Sequence, residues 1–190
     1  MSTQSAEVGQ LFETDPALAE QKLEAAVKRT PKDVQAGLML GAVRLKLGKH
    51  AQAADAFRGV LRAEGNNKPA QVLLATSLEA ASELPQALEA WQAVARADPG
   101  SKDAQEHVAK LADVTGQLEV ALEARRELVK LAPGSPETVA DLAVYLSRAK
   151  KHAEAVRLFE RANTLEPGFL DKHPVEKSAY DESKAQAQRH

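Results

Sequence analysis

An all-α solenoid of stacked helix pairs is the fold that this sequence predicts, and three observations carry the prediction. The first is a strict period. Ser135–Pro167, SPETVADLAVYLSRAKKHAEAVRLFERANTLEP, returns 34 residues earlier as Ser101–Pro133, then as Asn67–Pro99 and Asp33–Gly65. The second is the residue types at fixed places. Alanine recurs as Ala53, Ala87, Ala121 and Ala155, and four places on stand Phe57, Trp91, Arg125 and Phe159. A small residue recurs as Gly41, Ala75, Ala109 and Ala143, preceded by Leu40, Leu74, Val108 and Leu142. The third is the punctuation: Pro31, Pro99, Pro133 and Pro167 close the units, with Gly65 in that place once. A fixed period of this length marks repeats that bury their apolar faces only against their neighbours.

These residues and their spacing resemble the tetratricopeptide repeat family, whose units are helix–turn–helix hairpins. The resemblance covers at least Asp33–Pro167 and reaches back to Asp15. It implies a right-handed superhelix of antiparallel helix pairs, with four full repeats, a degenerate leading repeat and a C-terminal capping helix. One domain over 1–190 is expected. It divides into a leading repeat at 1–32, full repeats at 33–67, 68–101, 102–135 and 136–169, and a cap or tail at 170–190.

Taken in order, Val8, Leu11 and Phe12 lie at helical spacing, enough for a short amphipathic helix. Asp15-Pro16 reads as an N-cap followed by proline in the first turn of a helix over about 16–29. First helices are expected near 33–46, 68–81, 102–114 and 136–149, and second helices near 51–63, 85–97, 118–131 and 153–165. The turns inside the repeats are Gly48-Lys49-His50, Ser82-Glu83-Leu84, Gly116-Gln117-Leu118 and Lys150-Lys151-His152. Between repeats, Pro99-Gly100-Ser101 and Pro133-Gly134-Ser135 end one helix and cap the next; Gly65-Asn66-Asn67 lacks the proline and is expected to be the loosest joint. After Pro167-Gly168 the pattern fails at His173-Pro174. About 175–188 is then expected to cap the last repeat, with Val175, Ala179 and Tyr180 as its contacts.

The alanines let neighbouring helices approach closely, while Phe57, Trp91 and Phe159 fill the wedge between hairpins. Arg125 breaks that pattern. Its stem is expected to pack while the guanidinium reaches solvent or a carboxylate such as Asp98 or Glu123.

Composition narrows the function classes. The chain has 190 residues, 25 Lys and Arg against 27 Asp and Glu, and a formal net charge of −2, so nothing electrostatic favours nucleic acid or an acidic membrane. It has no cysteine, hence no disulfide or thiolate chemistry, which fits a reducing compartment. No stretch approaches the roughly 20 apolar residues that cross a bilayer, and the start lacks the pattern of a secretory signal, so a cytoplasmic protein is expected. Phosphate-loop, dinucleotide and hydrolase motifs are absent. His50, His107, His152, His173 and His190 include no pair at i, i+4, so no metal site, cofactor or catalytic residue is assigned and an enzyme is not expected.

The resemblance implies that the first helices line a concave groove for a peptide. Its lining is expected to be Leu38, Ala42 and Leu45, then Val72, Thr76 and Glu79, then Asp103, Glu106, His107 and Lys110, then Asp141 and Arg148, with Met39, Asp113, Ala140 and Val144 beside them. The first half is apolar and the second charged, acidic on balance. One subgroup of the family clamps a terminal carboxylate with lysine, arginine and asparagine. The matching places here hold Leu38, Ala42, Leu73, Asp103 and His107, and Asp103 would repel a carboxylate. An adaptor or scaffold binding a protein segment is the leading expectation. The alternatives are a self-assembling scaffold, whose groove takes an N-terminal helix of its own or another copy, and a chaperone for one client protein.

Overall fold

The computed structural model describes the backbone of residues 3–189 and the side chains of residues 9–189. Twelve helices, and no strand, make up the described chain. α1 (Thr3–Thr14) and α2 (Pro16–Arg29) form the leading pair. The full repeats pair α3 (Val34–Lys46) with α4 (His50–Ala63), α5 (Lys68–Ala80) with α6 (Leu84–Ala97), α7 (Lys102–Val114) with α8 (Leu118–Leu131), and α9 (Pro136–Arg148) with α10 (His152–Leu165). A one-turn helix α11 (Phe169–Lys172) and α12 (Pro174–Ala187) follow. The chain divides into two compact units, Met1–Ala97 and Asp98–His190.

Each boundary has a local cause that repeats with the sequence. Asp33, Asn67, Ser101 and Ser135 each turn a side-chain oxygen onto the backbone N–H three residues on, at 2.9, 3.0, 3.2 and 3.2 Å, satisfying a donor that the helix start leaves open. Inside each hairpin the first helix ends in a left-handed residue: Gly48, Ser82, Gly116 and Lys150, with φ of 71, 60, 73 and 60°. Their amides and the next ones turn back onto the helix, as in Gly48 N–H to Leu45 O at 3.0 Å and Lys49 N–H to Arg44 O at 2.8 Å, closing a Schellman motif. The joint without proline is tied instead by side chains. Gln71 Nε2 donates to Gly65 O at 3.0 Å and Asn67 Nδ2 to Glu64 at 2.8 Å.

Ala53, Ala87, Ala121 and Ala155 are fully buried, and Phe57, Trp91, Arg125 and Phe159 stand beside them in the core at 0, 2, 6 and 0% exposure. Gly41 is glycine because the Phe57 ring lies where a Cβ would be, 2.4 Å away. Leu11 and Phe12 pack on a cluster of Ala19, Leu23, Ala36, Leu40, Val43 and Ala56, and Lys46 Nζ sits 4.5 Å over the Phe12 ring. In the second unit, α12 closes the last repeat: Tyr180 meets Phe159 edge-on with ring centroids 5.9 Å apart, and Ser183 Oγ bonds Ser147 Oγ at 2.8 Å. Ala179 and Tyr180 pack as the sequence suggests, but Val175 stays exposed. Phe169 and Leu170 of α11 are buried in its place, because Gly168 (φ 79°) turns the chain back onto α10 first.

Candidate functional site

The exposed faces of the first helices are the candidate site. On α3, Ala36, Leu40 and Val43 go into the core, while Leu38, Ala42 and Leu45 share another face at i, i+4, i+7 and remain half-buried. Leu38 and Leu45 do not belong to the cluster on which Leu11 and Phe12 pack, whereas Met39 does. The expectation that Val8 helps to cover them falls on a side chain outside the described residues. On α5, Val72 and Thr76 are exposed. Glu79 is half-buried and accepts a hydrogen bond from Trp91 Nε1 at 3.2 Å, so it orients the wedge residue of its own hairpin.

In the second unit Asp103, Glu106 and Lys110 are exposed and His107 is half-buried. Glu106 pairs with Lys102 at 3.3 Å, and His107 Nε2 lies 3.9 Å from Asp103. On α9, Asp141 and Arg148 are exposed, but Ala140 is buried in the core and is no part of an accessible face.

Arg125 behaves differently from the expectation. It does not reach Asp98 or Glu123. Its Nη2 meets Asp113 Oδ2 at 2.6 Å, its Nε meets Asp141 Oδ2 at 2.8 Å, and its guanidinium lies 3.3 Å from the Tyr145 ring centroid. The Tyr145 hydroxyl donates to Asp113 at 2.5 Å, and Arg148 stands 4.7 Å from the same ring. A guanidinium this buried requires such partners, since an unpaired charge there would be strongly unfavourable. Burial pushes the Tyr145 hydroxyl up with help from its bond to Asp113. Asp113 and Asp141, expected to offer negative charge to a ligand, therefore neutralise a core cation. Tyr145 escaped the sequence reading altogether. The signal was present as three departures from the repeat: Arg125 where aromatics stand, Asp113 where Leu45 stands, and Asp141 where Leu73 stands.

A second polar joint lies between α2 and α3. Glu20, buried, accepts from Arg44 Nε at 3.2 Å and from Lys49 Nζ at 2.5 Å, while Arg44 Nη2 also meets Glu24. The hydrogen bond from Lys49 holds the Glu20 carboxyl below the usual carboxylate range, with Arg44 adding to it and burial opposing. Among the described residues no cluster of three or more His, Asp or Glu is placed to hold a metal ion, and no helix is long and apolar enough to cross a membrane.

Comparison with known proteins agrees with this architecture. Among solved structures the chain is similar to MamA (19% identity, TM-score 0.61, covering 87% of this chain and 95% of that one). It is similar also to MamA from Desulfovibrio magneticus RS-1 (22%, 0.62, 89% and 98%). A third is YrrB, described as a TPR protein with an unusual peptide-binding site (18%, 0.63, 92% and 88%). At these identities the likeness shows the fold alone. No curated protein matches by sequence. The family model described as tetratricopeptide repeat matches residues 10–69 and again 72–136, most of the chain. With its hairpins, caps and wedge residues in that same period, the chain belongs to the tetratricopeptide repeat family.

Proposed function

We propose that this chain is a non-enzymatic adaptor that holds a segment of another protein against the exposed faces of its first helices. Membership of a family of interaction modules supports the general reading, and YrrB, similar in fold, is described as having an unusual peptide-binding site. The observation that carries the finer reading is the apolar face of the first unit. Leu38 and Leu45 stay half-buried on α3 and Val72 is 38% exposed on α5, and none of the three packs on the cluster of Ala19, Leu23, Ala36, Leu40, Val43 and Ala56. Fully burying an exposed side chain of this size stabilises by roughly 1.5–3 kcal/mol, and a ligand here would gain the share that belongs to the part of Leu38, Leu45 and Val72 still exposed. Asp103, Glu106, His107, Lys110 and Arg148 supply mixed charge on the first helices of the second unit. Exposed charges steer and orient a partner more than they hold it. With Asp113 and Asp141 engaged by Arg125, the acidic bias of that face is weaker than composition implies.

The test is Leu38→Asp, read by thermal melting and by partner capture on the same preparation. The reading expects capture to be lost with the melting temperature almost unchanged. A variant that melts well below the parent places Leu38 in the folding core and removes the argument.

A further inference from the structure

A cavity of about 210 Å3 opens in the first unit between the last turns of α2 and α4, with α3 as its floor. Val27, Val34, Leu40 and Val60 give it apolar walls. Its α3 residues, Val34, Gly37, Leu40 and Arg44, lie on a different face from Leu38, Ala42 and Leu45, about a third of a turn away at 3.6 residues per turn. It is therefore separate from the site proposed above and does not depend on it.

The period of the chain explains why this slot is open. At the corresponding place between α8 and α10, Val139 stands for Gly37, Leu158 for Ala56, and Arg161 for Gly59. Arg161 reaches across and donates to Pro133 O at 2.7 Å, closing that slot. Between α4 and α6, Gln71 takes the place of Gly37 and bonds Gly65 O. Around the open slot these side chains are missing together.

The rim has a sign. Two of its acids are paired, Glu24 with Arg44 and Asp55 with Arg58 at 2.8 Å; Asp33 accepts from the Ala36 amide and keeps its charge, one against the two cations that follow. Lys28 and Arg62, equivalent residues on α2 and α4, are exposed and make no ion pair among the described residues. Size decides what fits. A dry apolar cavity of about 150 Å3 holds one benzene ring, whereas drug-sized ligands and cofactors need about 300–1,000 Å3.

We propose that the cavity is a second binding site, for one aromatic or branched aliphatic side chain of a partner protein segment that carries carboxylates beside it. The apolar group fills the space left by Gly37, Ala56 and Gly59, and the carboxylates meet Lys28 and Arg62.

The test uses the intact 15N-labelled chain and three synthetic peptides alike except for a central Asp-Phe-Glu, Asp-Ala-Glu or Lys-Phe-Lys. The Asp-Phe-Glu peptide should shift the amides of the last turns of α2 and α4, and the other two should bind at least about tenfold more weakly. Gly59→Arg should abolish those shifts at an unchanged melting temperature, because it supplies the side chain that closes the slot at Arg161, and a Cβ there has only Arg62 Nη2 within reach, at 3.6 Å. Gly37 is the poorer choice, since its Cβ would stand 2.7 Å from Val60 Cγ2. Should Gly59→Arg lower the melting temperature, Lys28→Glu with Arg62→Glu decides instead, with the same expected loss. Unmoved amides at about 1 mM peptide, or equal binding of all three peptides, overturn the proposal. So does light scattering in which the unliganded parent self-associates and Gly59→Arg is monomeric, since the occupant is then a second copy.

Discussion

At position 48 of the chain a side chain is disfavoured by conformation and not by crowding. Gly48 has φ 71° and nothing within 4 Å of the place a Cβ would take, so Gly48→Ala isolates the backbone term. Left-handed geometry costs an L-residue about 1–2 kcal/mol; less the freedom that glycine loses on folding, a loss of a few tenths to about 1 kcal/mol is expected in a chemical or thermal melt. Lys150 occupies the same place at φ 60°, so Lys150→Gly should act in the opposite direction, by a few tenths to about 1 kcal/mol once the extra freedom of glycine when unfolded is subtracted. Equal responses of the two variants would contradict a shared left-handed turn. The turns were legible as turns from Gly48 and Gly116. That Ser82 and Lys150 adopt the same conformation was not, since neither residue type favours it and the surrounding hairpin imposes it. Arg125 is the other residue whose role lay beyond the sequence reading. Its place was plain from the period, but its partners come from two other helices. Arg125→Ala leaves the partly exposed Asp113 and Asp141 without their cation and empties the space its stem fills, and should destabilise the fold by about 1–3 kcal/mol. A loss under about 1 kcal/mol, measured by denaturant unfolding, would mean that water replaces the guanidinium freely.

Among elements, the helices themselves were the most legible, because caps, prolines and alanines recur at one spacing and each fixes a boundary. α11 was not, because a single turn carries no periodicity; only Gly168 and the two apolar residues after it hint that the chain folds back. The α2–α3 joint is the element whose behaviour should depend on acid. Glu20 is held below its ordinary range in the folded protein, so it contributes stability at neutral pH. That contribution fades as pH falls through the depressed folded value, where protonation releases Lys49 and Arg44. Amide hydrogen exchange in α2 should therefore quicken on acidification relative to α4, and Glu20→Gln should remove that difference. An α2 that exchanges no faster in acid, relative to α4, would show that this network is not what secures it.

For the whole molecule, a formal net charge of −2 and a composition balanced between acid and base give no field to hold a polyanion. Fluorescence anisotropy with a single-stranded RNA should show no tight binding that weakens with added salt. A steep salt dependence would expose a local patch that the composition conceals. The candidate binding faces were only half legible at this scale. The period places residues such as Leu38 and Val72 on a face, but it cannot say that Glu79 serves Trp91 or that Asp141 serves Arg125, since those assignments depend on neighbours brought together by folding. The Arg125 contact also bears on how freely such an array can be rebuilt. Its guanidinium belongs to one repeat while Asp141 and Tyr145 belong to the next, so the third and fourth units form a matched pair with a direction. Moving the third unit ahead of the second would set Leu73 opposite the cation, and deleting the fourth would strip it of two partners. The chain looks like a string of interchangeable modules, yet at this junction it is spelled in one order only, and duplication or shuffling of units would have to carry the pair together.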